Sequence, residues 1–179
     1  MFLLQMQWGD PAVCKQKNLG ALSFAGTALR PTSTGTVRLA STDPLQAPIV
    51  DPNYLSTEND RELSRKALKL IKRMIDHIRE DGYPILEVEP LPDMQDDTAI
   101  DSFVKISAST CYHYTSTCRM APESEGGVLD DRLRVHGVRG LRVADSSACP
   151  QIPATHPAAA AVMIAEKCSD MVKEDDGLL

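Results

Sequence analysis

Apolar residues recur at intervals of three and four between Thr57 and about Asp81: Leu63, Ala67, Leu70, Ile71, Met74, Ile75 and Ile78. That spacing winds them into one stripe of an α-helix. Ser56 or Thr57 can cap its start, acids in its first turn suit the helix dipole, and Gly82 stops it. A shorter helix is predicted from about Asp97 to Ser107, with Ile100, Phe103 and Val104 facing inward. A third is predicted from about Pro157 to Glu174, with Ala161, Ala165, Cys168 and Val172 on one face.

Elsewhere the period shortens to two. Residues 20–30 and 35–41 read as strands, and in the second Val37 and Leu39 alternate with Thr36, Arg38 and Ala40. Pro31 and Gly35 bracket the turn between them. Prolines at 44, 48 and 52 make residues 43–55 an extended loop with at most one short edge strand. Residues 85–95 read as a strand followed by a proline loop. In residues 123–147 a Gly-Gly turn precedes a strand around Leu133–Val135, a turn at Gly137–Gly140 and a strand at Leu141–Ala144. The expected fold is α+β, an antiparallel sheet flanked by about three helices, in a single domain over residues 1–179. Residues 20–122 would supply the sheet and helices, and residues 123–179 a returning hairpin and the C-terminal helix.

Composition narrows the function. A net charge of −6 disfavours nucleic acid and anionic membrane surfaces as partners. No stretch reaches the ~18 apolar residues of a spanning helix. The opening "MFLLQMQWGD" lacks the basic n-region of a leader, so a cytoplasmic protein is expected. Five irregularly spaced cysteines argue for free thiols. Cys111, His113 and Cys118 match no standard zinc spacing, so no metal is expected. Asp145, Ser146 and Ser147 lie near histidines, but no G-x-S-x-G elbow accompanies them, which sets a serine hydrolase aside.

Two histidines stand out. Thr155 or His156 falls in the N-cap region of the last helix, with Pro157 in its first turn. The free N–H groups and partial positive charge there favour an anion and a neutral imidazole, which can take a proton or polarise a carbonyl. The alternative is that His156 caps the helix or lies in solvent. His113 sits between Tyr112 and Tyr114; on a strand it would point with Thr115, away from the tyrosines. Its alternative is a hydrogen-bonded core histidine. His77 reads as a solvated helix residue, and His136, beside Gly137, as exposed.

The stretches "LRPTSTGTVRLASTDPLQAPIVDPNYLS", "HYTSTCRM", "GGVLDDRLRVHGVRGLRVADSSACPQIPATHP" and "VMIAEKCSDMV" resemble the C-terminal portion of the glucose–methanol–choline (GMC) oxidoreductases, from about residue 29 to 173. The resemblance implies a substrate domain with an antiparallel sheet, in a flavin-dependent family where one histidine takes the alcohol proton while hydride goes to the flavin. It places the family's active-site histidines at His113, five residues before Cys118, and at His156, where other members have His or Asn. It places "ADSS" and "PATHP" along the flavin ring. Tyr114 and Ser116 stand where Pro and Gly are common.

None of the ten glycines is separated from another by a single residue, so no G-x-G-x-x-G phosphate cradle occurs in these 179 residues. The leading expectation is therefore a flavin-independent, cofactor-free acid/base enzyme of isomerase, lyase or cyclase type, acting on a small oxygenated organic substrate. His113 and His156 would be catalytic, and Tyr112, Tyr114 and Thr155 would bind substrate. The first alternative is the C-terminal half of an FAD-dependent alcohol oxidase or dehydrogenase, with the flavin domain supplied by another chain or lost; Asp145, Ser146 and Pro157 would then meet the cofactor. The second is a non-catalytic binding remnant. The expected partners are a small-molecule substrate and a second copy of the chain or a flavin-domain chain.

Overall fold

The computed structural model describes residues 2–6, 24–83 and 90–178. In chain order its elements are β1 (Phe2–Met6), β2 (Phe24–Thr27), β3 (Thr36–Arg38), β4 (Ile49–Asp51), α1 (Glu58–Glu80), α2 (Asp97–Ser107), β5 (Ala108–Thr110) and α3 (Ala158–Asp175). The chain divides into two units, residues 1–35 with 52–111 and residues 36–51 with 112–179. Helices and antiparallel strands together make the expected α+β class. Residues 20–23, part of the first expected strand, and 84–89, the strand part of 85–95, lie outside the described residues.

In the first unit, β1 is the centre of a three-stranded antiparallel sheet ordered β2-β1-β5, with Leu4 opposite Gly26 on one side and Ala108 on the other. Helix α1 is capped by Thr57, whose side chain accepts the Asp60 N–H, and the chain turns away at Gly82 with φ +89°. Asp96 caps α2 by accepting from Thr98 N and Ala99 N. Leu68, Ile71 and Ile75 of α1 pack with Ile100 and Val104 of α2. Full burial of such a side chain is worth about 1.5–3 kcal/mol. The buried stripe differs from the expected one: Leu70 and Met74 are exposed, and Asp60 and Ser64 continue the buried face instead. Gly26 explains the close approach of β2 to α1, because a Cβ there would stand 3.2 Å from Ala67 Cβ.

Asp60 is fully buried and charged because its neighbours satisfy it. Its carboxylate accepts from Thr32 N at 2.7 Å, Ser33 N at 3.0 Å and Thr32 Oγ1 at 3.1 Å. Burial pushes its pKa up, but hydrogen bonds from Ser33 and Thr32 outweigh that and bring it down to about 2. The carboxylate thereby fastens the 31–33 turn onto the first turn of α1.

In the second unit, β3 and β4 form a two-stranded antiparallel ribbon with Val37 opposite Val50. The expected 133–144 hairpin shrinks to isolated bridges, Leu129 with Val135 and Arg134 with Arg142. Leu133 at φ +63°, Gly137 at +72° and Gly140 at +73° interrupt the extended backbone a longer ladder needs. The core gathers Leu129, Leu133, Ala148, Cys149, Ile164 and Cys168. The buried face of α3 is therefore Ile164 and Cys168 with half-buried Ala161 and Met171, while Ala165 and Val172 of the expected face are exposed. The C-terminal end of α3 is held electrostatically: Asp175 pairs with Arg132, Arg134 and Arg142, and Arg132 also reaches Glu174 at 3.0 Å. No helix among the described residues is long and apolar enough to cross a membrane.

Candidate active site

Two loops of the second unit build the site. Residues 112–120 form no strand, since Tyr112 and Ser116 adopt φ +59° and +68°. They dock instead on the turn at 145–149: Ser116 N donates to Ser146 O at 3.3 Å, Cys118 N to Ser147 O at 3.1 Å and Met120 N to Ala148 O at 3.0 Å. Exposure still alternates, with Tyr112 and Tyr114 outward at 78% and 60% and His113 and Thr115 half-buried. The turn is set by Asp145, whose carboxylate accepts Ser147 N at 2.7 Å. Hydrogen bonds from the Ser147 side chain and backbone hold the Asp145 carboxyl below the usual range. Ser146 Oγ donates to Tyr114 O at 3.0 Å. The Asp-Ser-Ser run of residues 145–147 is the sequence signal that marks such a turn.

The second loop leads into α3. Pro157 itself occupies the N-cap, at φ −77° and ψ −5°, and no side chain caps the helix. Neither Thr155 nor His156 caps it, since neither side chain accepts a hydrogen bond from the first turn. The His156 ring turns to His113: its Nδ1 lies 2.9 Å from His113 Nε2, with ring centroids 4.7 Å apart and planes at 89°. His113 Nδ1 is buried and has no hydrogen-bond partner among the described residues. Burial, and then the proximity of His156, hold the His113 pKa below its ordinary value. Thr155 and His156 are exposed. Of the other histidines, His77 lies exposed on α1 beside Glu80. His136 departs from expectation: it is half-buried and pairs through Nε2 with the Ala121 carbonyl at 3.0 Å.

A family model described as GMC oxidoreductase matches residues 31–165. The chain belongs to the GMC oxidoreductase family. It is 41% identical to an oxygen-dependent choline dehydrogenase of Chromohalobacter salexigens over 146 residues, 82% of this chain and 26% of that one. It is 37% identical to the mitochondrial choline dehydrogenase of Homo sapiens over 151 residues, 84% of this chain and 25% of that one. This member thus spans about a quarter of the length of these curated relatives. Among solved structures, a fungal aryl-alcohol oxidase matches with TM-score 0.78 and 31% identity, over 86% of this chain and 25% of that one. A formate oxidase of Aspergillus oryzae RIB40, studied for modification of its FAD, matches with TM-score 0.78 and 28% identity, over 88% and 28%.

These findings overturn the leading expectation of a flavin-independent isomerase, lyase or cyclase and, with it, the expectation of no cofactor. The GMC relatives are dehydrogenases and oxidases, and a structural neighbour carries FAD. The missing G-x-G-x-x-G misled because a phosphate cradle and a substrate-side site need not lie in the same quarter of a polypeptide. The residues present fit the ring end of a flavin. The amides of Ala158, Ala159 and Ala160 open α3 without a side-chain cap, and their methyl groups leave room for close approach. Negative charge on a reduced flavin would be favoured there. The side chains of Asp145 and Ser146 are engaged within the unit, so their contribution to such a site is to fix the turn.

Proposed function

We propose that this chain is the substrate-side portion of an FAD-dependent enzyme that oxidises an alcohol. The observation that carries this reading is the 2.9 Å contact between His113 and His156 in a GMC family member. Two imidazoles at that distance can receive a hydroxyl proton and hydrogen-bond the oxygen that is left. A bound flavin would accept the hydride from the carbinol carbon.

The chain's own groups would divide the remaining work. Tyr112, Tyr114 and Thr155, all exposed and adjacent in sequence to the histidines, would contact the substrate. The α3 N-terminus, Pro157 and the Asp145–Ser146 turn would meet the ring of the cofactor. Val162 and Met163, exposed at 61% and 65% on α3, would be covered by the flavin-binding region or by a second copy of the chain. Choline is the first alcohol to try, because it is in the names of the relatives.

The test is anaerobic mixing of alcohols with a polypeptide carrying this chain together with a flavin-binding region. Loss of the oxidised flavin absorbance on adding choline or another small alcohol is expected. A bound flavin that no alcohol bleaches would overturn the reading.

A further inference from the structure

We infer that the outer edge of β3 pairs antiparallel with the β3 edge of a second copy of this chain, about a two-fold axis at Val37, joining two ribbons into one four-stranded sheet. The inference stands on the ribbon and is independent of the function proposed above.

The ribbon is short of neighbours. Among the described residues β3 and β4 pair only with each other, and neither makes extensive contact with another element. Residues 34–39 and 41–53 are all exposed, Val37 at 53% and Leu39 at 86%. A two-stranded ribbon by itself is marginally stable in water, and an open edge is a template for another strand. The two edges are not equally open. Pro48 and Pro52 flank β4, and proline cannot donate to a ladder. Gly35 precedes β3 and Leu39 follows it, so its outer edge can take a partner strand along its whole length.

Register decides the partner. With Val37 opposite the second copy's Val37, Thr36 stands opposite Arg38 on both sides of the axis. Val37 already lies opposite Val50 within the ribbon. The joined sheet therefore carries an unbroken row of valines, Val50 and Val37 followed by the same pair of the second copy. Direct cross-strand contacts of this kind are what hold a sheet together. Within the ribbon Arg38 lies opposite Ile49, and Thr36 opposite Asp51. The next row thus reads Ile49, Arg38, then the second copy's Thr36 and Asp51. Arg38 and that Asp51 stand on one face, two strand spacings or about 9–10 Å apart at the backbone, with a short threonine between them. An extended guanidinium reaches the carboxylate across it. Moving the axis to Arg38 would set two guanidinium groups directly opposite each other, which destabilises a sheet. Moving it to Thr36 would leave each Val37 against a glycine, the second copy's Gly35. Of the three registers, only the first is complementary to itself in both shape and charge, as a two-fold contact requires.

Sedimentation velocity of the 179-residue chain at micromolar concentration tests this, with oxidation of cysteine variants beside it. The wild type should sediment as a dimer, at twice the chain mass of 19.5 kDa. Val37→Lys sets two ammonium groups against each other at the axis. It should weaken the dimer about tenfold or more while circular dichroism stays unchanged. Val37→Cys should give a disulfide-linked dimer on mild oxidation, because the Cα spacing at the axis, about 4.5–5.5 Å, is one a disulfide spans. Leu39→Cys, placed opposite the second copy's Gly35, should give no more cross-link than the wild type with its own five cysteines. A monomeric wild type, a dimer indifferent to Val37→Lys, or a cross-link at residue 39 and not at 37 would each overturn the inference. Loss of the Val37→Cys cross-link in a polypeptide that also carries a flavin-binding region would make that region the occupant of the edge, and would overturn it too.

Discussion

His156 Nδ1 lies 2.9 Å from His113 Nε2, across 43 residues of sequence, and the two rings meet edge to face. Because burial and the neighbouring imidazole both disfavour a charge on His113, its neutral form persists to lower pH than in a free histidine, whose ordinary value is 6.5. Proton uptake from an alcohol requires a neutral pair. Flavin reduction should therefore rise with pH, and the part of the rise that belongs to His113 should have its midpoint below 6.5. Rapid-mixing measurements of flavin reduction over a pH series check this.

Asp60 gives a second pH signature, in stability rather than turnover. Its folded pKa is about 2 against an ordinary 3.8, so the folded state binds this proton less tightly than the unfolded chain. The carboxylate contribution, about 2 kcal/mol, is fully present above pH 3.8 and is lost as pH falls through about 2. Asp60→Ala leaves the Thr32 and Ser33 amides without their acceptor and should cost about 2–4 kcal/mol at neutral pH. Urea unfolding of both proteins at neutral and acid pH should show the difference shrinking on acidification.

Ser116 adopts φ +68°, a left-handed conformation that favours glycine. Its Oγ donates to neighbouring Thr115, at 3.3 Å. Ser116→Gly should stabilise the second unit by about 0.5–1 kcal/mol, read as a higher melting temperature.

Gly127 tests the same unit in the opposite direction. A Cβ on it would stand 1.9 Å from the Ala121 carbonyl oxygen, and backbone cannot yield as a flexible side chain does. Gly127→Ala should break the Gly127 N to Pro122 O turn and the adjacent pairing of Ala121 with Leu129, and cost about 3 kcal/mol or more. Calorimetry and hydrogen exchange at Val128 and Leu129 report on it directly.

The helices were the most legible part of the fold, because a three-four spacing survives whatever the chain packs against. Their exact faces were less so. In α1 the buried stripe includes Asp60 and Ser64, and no hydrophobicity rule foresees a buried carboxylate whose partners lie 27 and 28 residues away. Strand β5, Ala108–Thr110, follows α2 without a break and is a strand because β1 pairs with it, a long-range cause. The 133–144 segment carried strand-forming residues, but three left-handed residues within it limit pairing to single bridges. At the site, sequence nominated His113 and His156 separately, and it was family resemblance that joined them. The role of Asp145 in shaping the turn, and the orphan His113 Nδ1, depend on side-chain geometry that no spacing encodes.

The central claim is that the His113–His156 pair handles the proton of an alcohol oxidised by flavin. Its most direct test is the rate of flavin reduction in single turnover by wild type, His113→Ala and His156→Ala, in a polypeptide carrying this chain and a flavin-binding region. Removing either ring should slow reduction by about 10²–10⁴-fold while circular dichroism stays unchanged. Reduction at the wild-type rate in both variants would contradict the account.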